Sequence, residues 1–220
     1  MTRNRAAEVD ALWLDALQRV AGRAAHEIKG ALNSVCVNLE VVRSRATGQG
    51  DTAAAGVARF AQAAAEQLDA LIVMNEALLA LARRPRDVVD VTSTARHLAA
   101  LLGPAARADG GRLEVVDGPA AVGVATSAPA AAVRLVLACA MLRALDRRTA
   151  TTCRIDAGDG MVIRVECADG SAIELDPQIA AVAADAGIRV DSDSGGLSLA
   201  FPRAGRSSGR RAATPTRETA

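Results

Sequence analysis

Residues 7–46 read AEVDALWLDALQRVAGRAAHEIKGALNSVCVNLEVVRSRA and contain no proline. Apolar side chains recur in this stretch at steps of three and four, the spacing that places them on one face of an α-helix. They are Leu14, Leu17, Val20, Ala21, Ala24, Ile28, Leu32, Val35, Leu39 and Val42. At 1.5 Å per residue the predicted helix is roughly 60 Å long. Because such a helix is not stable alone, we expect it to pack lengthwise against another element.

A second helix is predicted from the residues that follow. The stretch 47–50 ends the first helix, and Asp51 or Thr52 can cap the next one, which continues to about Arg84 and ends before Pro85. Two helices joined by a short turn form an antiparallel hairpin. Its many alanines bury little area each, so pairing with a second copy is the natural way to cover the remaining apolar surface. We therefore predict a homodimeric four-helix bundle.

Beyond Pro85 the pattern changes to short alternating segments with Gly and Pro between them. A short entry segment and a helix are predicted within 88–103, and further helices at 130–147 and 177–186. Strands are predicted at 112–116, 122–126, 152–157, 161–167, 171–175, 187–191 and 197–201. Such a set predicts an α+β sandwich with helices on one face of a sheet. The expected organisation is a hairpin domain at 1–86, an α+β domain at 87–202, and a disordered Arg-rich tail at 203–220.

Composition excludes several classes of protein. The chain has 220 residues, half of them apolar, which rules out a disordered protein, a collagen and a disulfide scaffold. Residues 1–202 hold 21 basic and 24 acidic residues, a formal charge of −3, so no nucleic-acid footprint is visible. The four cysteines are far apart and are expected to be reduced, buried and apolar in role. With neither a signal-peptide pattern nor a long apolar span, we expect a cytoplasmic protein without membrane contact.

The candidate site lies on the first helix. Steps of three and four from Arg19 lead through Arg23, His26, Lys29 or Gly30, and Asn33, a face that avoids the apolar stripe. His26 is therefore predicted to point into water, where an unprotonated imidazole is a competent nucleophile near neutral pH. Glu27 can act as its proton acceptor. Periodicity alone favours an ordinary surface histidine with ordinary charged neighbours.

The residues around His26 also carry a family resemblance. The segment 21–33, AGRAAHEIKGALN, resembles the phosphoacceptor box of the two-component histidine kinases. The resemblance implies that His26 is the phosphorylated residue and Glu27 its acid–base neighbour, on a dimeric four-helix bundle followed by an ATPase-like domain. Gly30 and Ala31 stand where the family usually has a polar residue and proline, which puts phosphatase activity of the usual type in doubt.

The nucleotide-binding elements implied by that resemblance are absent from the second domain. Helix 132–147 has no Asn, and Cys139 and Arg143 occupy the two expected Asn positions. Asp169 and Gly170 follow a strand, but the second Gly of the expected turn is missing and few residues remain for a lid. Gly195 and Gly196 are better explained as a hairpin turn. We therefore expect a degenerate histidine-kinase-ATPase-like sandwich that does not bind ATP.

This combination resembles the dimeric histidine phosphotransferases of bacterial phosphorelays. It implies that His26 carries a phosphoryl group between receiver-domain aspartates, that no cofactor is tightly bound, and that magnesium enters only through the partner receiver. The implied partners are a second copy of the chain, response-regulator receiver domains and a hybrid histidine kinase. Two alternatives stay open: an autophosphorylating histidine kinase with an atypical ATP site, and a non-catalytic dimeric adaptor for response regulators.

Docking of the receiver is expected on the surface around the histidine. Its predicted contact residues are Arg19, Arg23, Lys29, Gly30 and Asn33 on the first helix and Asn75 and Glu76 on the second. The only other histidine, His97, lies among leucines and is predicted to be a partly buried structural residue. Trp13 is predicted to anchor either the core or the dimer.

Overall fold

The computed structural model describes residues 3–46, 51–83, 89–118, 125–157 and 161–204. The chain begins with two long helices, α1 (Arg3–Ala46) and α2 (Asp51–Ala82), which pack against each other. The two predicted helices are therefore confirmed. The predicted turn at 47–50 lies outside the described residues.

An α/β region follows the helical pair. Its elements in chain order are β1 (Val89–Asp90), α3 (Val91–Ala108), β2 (Arg112–Asp117), β3 (Ala125–Thr126), α4 (Ala130–Leu145), β4 (Ala150–Ala157), β5 (Met161–Cys167), α5 (Pro177–Asp185), β6 (Arg189–Asp193) and β7 (Gly196–Phe201). Five strands form one sheet in the order β2-β4-β5-β7-β6, in which β2 and β4 are parallel and the other neighbours antiparallel. Strands β1 and β3 form a separate antiparallel pair. Long helices followed by an α/β region confirm the predicted fold class.

The sheet has one apolar and one polar face. Along β5, Met161, Ile163 and Val165 are buried, while Arg164 and Glu166 alternate with them and pair with each other at 2.8 Å. This alternation follows from the two-residue period of a strand. Helices α3, α4 and α5 contact β2, β5 and β6 respectively. The helices therefore cover the apolar face, as the sequence predicts.

Helix α4 is the centre of the molecule. Twelve of its 16 residues are buried. A helix that is apolar all round must be covered on all sides. Here the sheet strand β5 contacts α4 on one side, while α1, α3 and α5 contact it on others. Helix α1 thus forms an additional layer over the helices of the α/β region.

The first half of α1 belongs to the same core as the sheet. Its buried side chains are Val9, Trp13, Ala16, Val20 and Ala24, none more than 9% exposed. They recur every three or four residues and belong to one continuous apolar cluster with α3 and α4. The end of α2 joins this cluster through Met74, Ala77 and Leu81. The domain boundary at residues 86 and 87 stays a prediction, and the buried cluster runs across it.

Several local features differ from the sequence predictions. Residues 171–175 do not form a strand, although Ile173 is buried and its carbonyl accepts a hydrogen bond from Ser192 Oγ at 2.8 Å. The buried Ile173 and the partly buried Leu175 hold this segment against the core although it pairs with no neighbouring strand. Helix α3 continues beyond Gly103 and through Pro104 to Ala108. Burial of Leu101, Leu102, Ala105 and Ala106 compensates for the hydrogen bond that proline cannot donate.

Other expectations meet mixed outcomes. Of the predicted strand 122–126, only Ala125 and Thr126 form a strand, and the rest lies outside the described residues. Gly195 and Gly196 do lie at the β6–β7 hairpin, where Gly196 has a φ of 135° that favours glycine. Arg203 still pairs with Thr126 in an isolated bridge. Residues 205–220 of the predicted tail lie outside the described residues.

Candidate functional site

His26 is exposed on α1, at the end of the helical segment that enters the core. Ala24, two residues earlier, is completely buried. Because each helical residue rotates the chain by about 100°, His26 lies about 200° from Ala24 and faces the opposite side. The predicted exposure of His26 is therefore confirmed. Within the described part of the chain, its ring makes no hydrogen bond or ion pair.

Glu27 follows His26 but points to another face of α1. It is half-buried, beside the partly buried Ile28, which packs against the core. Adjacent helical residues do not face each other. Among the described residues, no hydrogen bond joins Glu27 to His26. The acid–base role of Glu27 stays a prediction.

Arg23 connects α1 to the α/β region. Its Nη2 donates to Asp146 Oδ1 at 2.6 Å, and both side chains are partly exposed. Asp146 is the residue at which α4 ends. The pair therefore connects the C-terminal end of α4 to a point on α1 that is three residues, about 4.5 Å of rise, from His26. Arg23 is thus already engaged within the chain.

The remaining predicted docking residues on α1 are open to solvent. Lys29, Gly30 and Asn33 are all exposed. A Cβ added at Gly30 would meet no atom within 4 Å, so no packing in the described chain requires a glycine there. On α2, Asn75 and Glu76 are likewise exposed. Their exposure leaves the docking surface accessible, and docking itself stays a prediction.

Arg19 lines a cavity of about 330 Å³ between α1, α4 and the start of α5. The charged or polar residues around it are Asp15, Arg19, Cys139, Arg143, Asp176 and Gln178. Burial raises the pKa of the Cys139 thiol. In the histidine kinases that the sequence resembles, the corresponding helix carries the Asn residues that bind magnesium. Here α4 presents the neutral thiol of Cys139 and the guanidinium of Arg143, and neither group is a magnesium ligand. The residues of α4 do not fit a magnesium–nucleotide complex.

The turn after β5 is closed by its own hydrogen bonds. Asp169 Oδ1 accepts from the Ser171 backbone N–H at 3.0 Å and from Ser171 Oγ at 2.7 Å. These bonds hold the pKa of the Asp169 carboxyl below its usual value. Gly170 adopts a φ of 66°, which favours glycine at this turn. The described residues between this turn and α5 contain no lid helix.

The other two sequence predictions concern His97 and Trp13. His97 is half-buried on α3, and burial is the main cause that lowers its pKa, with the nearby Arg134 charge adding to the effect. This confirms a partly buried position. Trp13 is 9% exposed and belongs to the core cluster of the single chain. Of the two roles predicted for Trp13, the structure therefore shows the core role.

Two residues of this region were missed by sequence reasoning. Asp146 meets Arg23 across 123 positions of sequence, and Arg134 contacts the end of α2 across more than 50. Neither residue belongs to a local motif, so only the folded chain brings them to α1 and α2. The one available signal is that Arg134 and Arg143 are the only charged residues in the apolar sequence of α4.

Comparisons with known proteins find likeness in structure and none in sequence. No family model matches the chain, and no curated protein matches it in sequence. The histidine kinase AdeS of Acinetobacter baumannii superposes with a TM-score of 0.40 and 9% identity, over 81% of this chain and 98% of that one. Among the helices of the described residues, none is both long and apolar enough to cross a membrane.

Proposed function

We propose that the protein is a histidine phosphotransferase of a two-component phosphorelay, with His26 as the phosphoryl carrier. The observation that carries this proposal is the exposed imidazole of His26 on α1, opposite the buried face that fastens the helix to the α/β region. An exposed imidazole can reach a phosphoryl group held by another protein. The absence of magnesium-ligating side chains on α4 favours a donor other than ATP.

The chemistry requires a placed nucleophile and a phosphoryl donor. An unprotonated ring nitrogen of His26 attacks the phosphorus of an aspartyl phosphate on a receiver domain. As the N–P bond forms, the P–O bond to the aspartate breaks and the carboxylate leaves with the electron pair. A second receiver's aspartate then attacks the phosphorus, and the imidazole leaves. When bound in the receiver's acidic pocket, magnesium would supply positive charge to the phosphoryl oxygens.

Residues next to His26 would support the transfer in this proposal. Lys29 and Arg23 add positive charge three residues from the histidine in each direction, and Arg19 adds it about two turns before the histidine. Glu27 serves as the acid–base neighbour. The open surface at Gly30 and Asn33 admits the receiver, with Asn75 and Glu76 contributing from α2.

A second copy of the chain is the proposed structural partner. The described residues include eight exposed large apolar side chains, and all lie on α1 or α2. They are Leu14, Leu32, Val37, Leu39, Leu68, Ile72, Val73 and Leu79. A group of this size restricted to one helical pair marks an association surface. In this proposal, two hairpins joined along this surface form a four-helix bundle.

The test of this function uses purified full-length protein and receivers carrying labelled aspartyl phosphate, with a parallel reaction containing only labelled ATP and magnesium. We expect acid-labile, base-stable label on wild type from receivers and none from ATP. His26→Ala should abolish the label. The chain offers a matched control in its only other histidine, since His97→Gln should still be labelled.

The alternative results are equally definite. Label from ATP that depends on His26 would identify an autophosphorylating kinase. Label that persists in His26→Ala would place the acceptor elsewhere. If neither source labels the wild type across the whole set of receivers of its organism, phosphotransfer is excluded and a non-catalytic adaptor remains.

A further inference from the structure

Arg134 of α4 contacts the C-terminal end of α2. Its Nη1 donates to the Arg83 carbonyl at 2.7 Å, and its Nη2 donates to the Ala80 carbonyl at 3.2 Å. The last carbonyls of a helix have no partner within the helix. A side chain from the α/β region therefore supplies the hydrogen bonds that complete the end of the helical hairpin.

The same guanidinium also lies over the ring of Trp13 on α1. Arg134 Cζ is 6.0 Å from the centre of the Trp13 ring, within the range of a cation–π interaction. Both residues border a mainly apolar cavity of about 360 Å³ between α1, the end of α2 and the start of α4. Arg134 is half-buried, and burial lowers its pKa. Its Nε is buried without a hydrogen-bond partner among the described residues.

A half-buried cation carries a desolvation cost that its contacts must offset. Here the contacts are two backbone carbonyls at the C-terminal end of α2 and the aromatic ring of Trp13 on α1. A planar guanidinium can meet all three at once, whereas a lysine ammonium has no flat face to place over the ring and no fixed fork for two carbonyls. We call Trp13, Arg134 and the carbonyls of Ala80 and Arg83 the clasp.

A second contact fastens α1 farther along the helix. The ion pair of Arg23 with Asp146 lies ten residues beyond Trp13, about 15 Å along α1. Buried Ala16 and Val20 lie between the two points, in contact with the common core. Helix α4 runs from the clasp at Arg134 to its end at Asp146. Helices α1 and α4 are therefore joined near both ends of their shared length.

We propose that the clasp locks the α/β region onto the helical hairpin, so that the C-terminal end of α4 keeps a fixed position beside His26. Arg134 is a positioning residue in this arrangement and does not touch the reacting groups. The α/β region then presents a permanent wall next to the histidine. This inference concerns how the helical hairpin and the α/β region are held together, and it does not depend on phosphorylation of His26.

Hydrogen exchange of the full-length protein tests the clasp directly. We compare wild type with Arg134→Gln, Arg134→Lys and the control Arg189→Gln, which removes an exposed arginine from strand β6. Arg134→Gln should raise exchange about tenfold, or about 1.4 kcal/mol, in residues 9–24 of α1 and 74–83 of α2. Exchange in β4 and β5 should not change. Arg134→Lys should show a smaller increase in the same segments, and Arg189→Gln should match wild type.

Fluorescence provides a second readout because Trp13 is the only tryptophan and the chain has no tyrosine. The tryptophan emission therefore reports the surroundings of Trp13, which is part of the clasp. Arg134→Gln should shift the emission to longer wavelength and raise acrylamide quenching about twofold, as water reaches the ring. Arg189→Gln should change neither quantity.

Two outcomes would overturn the proposal. Unchanged exchange and emission in Arg134→Gln would show that the clasp does not hold the two parts together. An equal rise of exchange in the sheet and in all helices would make Arg134 a contributor to overall stability only. If Arg134→Gln does not fold, Arg134→Lys carries the same test. Neither measurement uses a phosphoryl donor, so failure of the clasp and failure of phosphotransfer are told apart.

Discussion

Burial separates the four cysteines into two kinds. Cys36 is exposed on α1, while Cys139, Cys153 and Cys167 are buried in the α/β region. The sequence prediction that all four are buried is therefore wrong for Cys36, since this part of α1 extends beyond the core. Burial raises the pKa of Cys153 to about 12. A thiol reacts as its thiolate, so this residue is both inaccessible and protonated at neutral pH.

Thiol labelling of the native protein should therefore show one fast-reacting group. With an aromatic disulfide that releases a coloured thiolate at pH 8, we expect rapid reaction of Cys36 and slow reaction of the other three cysteines. Denaturation should make all four cysteines of the chain reactive. Cys36→Ser serves as the control and should abolish the fast phase. Rapid labelling of a second cysteine in native Cys36→Ser would contradict the burial described for the α/β region.

At the scale of elements, helix α3 begins at a well-formed cap. Asp90 Oδ1 accepts from the backbone N–H of Thr92 at 2.9 Å and of Ser93 at 3.3 Å. Asp90 is also the last residue of β1, so the cap fixes the conformation of the chain at the start of the α/β region. The carboxylate charge is favourable at this end of the helix dipole.

Asp90→Ala should lower the free energy of unfolding by about 1 kcal/mol, because two backbone donors lose their acceptor. Urea unfolding followed by circular dichroism measures the change. Asp90→Asn should recover most of the loss. Asp109→Ala at the other end of α3 is the matched control and should be neutral, since a carboxylate is not favoured at a helix C-terminus. An equal loss in both alanine variants would contradict a role specific to the cap.

At the scale of the whole molecule, two kinds of apolar surface coexist on the hairpin. Leu81 of α2 is 1% exposed and packs into the core shared with the α/β region. Leu39 of α1 is 52% exposed and has no comparable cover among the residues that the structure describes. The first leucine serves the fold of one chain. In the proposed dimer, Leu39 is available to pack against the other copy of the chain.

Leu81→Ala should therefore lower the stability of the single chain, whereas Leu39→Ala should weaken formation of the dimer. Leu81→Ala should cost about 2–5 kcal/mol in urea unfolding, from lost burial and the cavity left behind. Leu39→Ala should change the stability of the monomer by no more than about 0.5 kcal/mol. In sedimentation equilibrium, Leu39→Ala should raise the dimer dissociation constant about tenfold, while folded Leu81→Ala keeps the wild-type value. A monomeric wild type at all concentrations would refute the dimer.

Local pattern determined most of the elements of this protein. The periodic apolar residues of α1 and α2, the alternation along β5 and the glycines of the β6–β7 hairpin each specify their own conformation within a few residues of sequence. The exposure of His26 follows from the same periodicity, because its position relative to Ala24 depends only on helix geometry. The predicted strand at 171–175 is wrong, since alternating apolar residues such as Ile173 and Leu175 can also pack on the core without strand pairing.

The sequence alone predicts most of the helices and strands and the solvent-facing position of His26, because both depend on interactions between residues that are near each other along the chain. Only the tertiary structure decided that α1 is part of the α/β core, that Asp146 meets Arg23, and that Arg134 joins Trp13 to the end of α2. These contacts connect residues about 50 to 120 positions apart. They depend on the packing of the completed core, which no local spacing records.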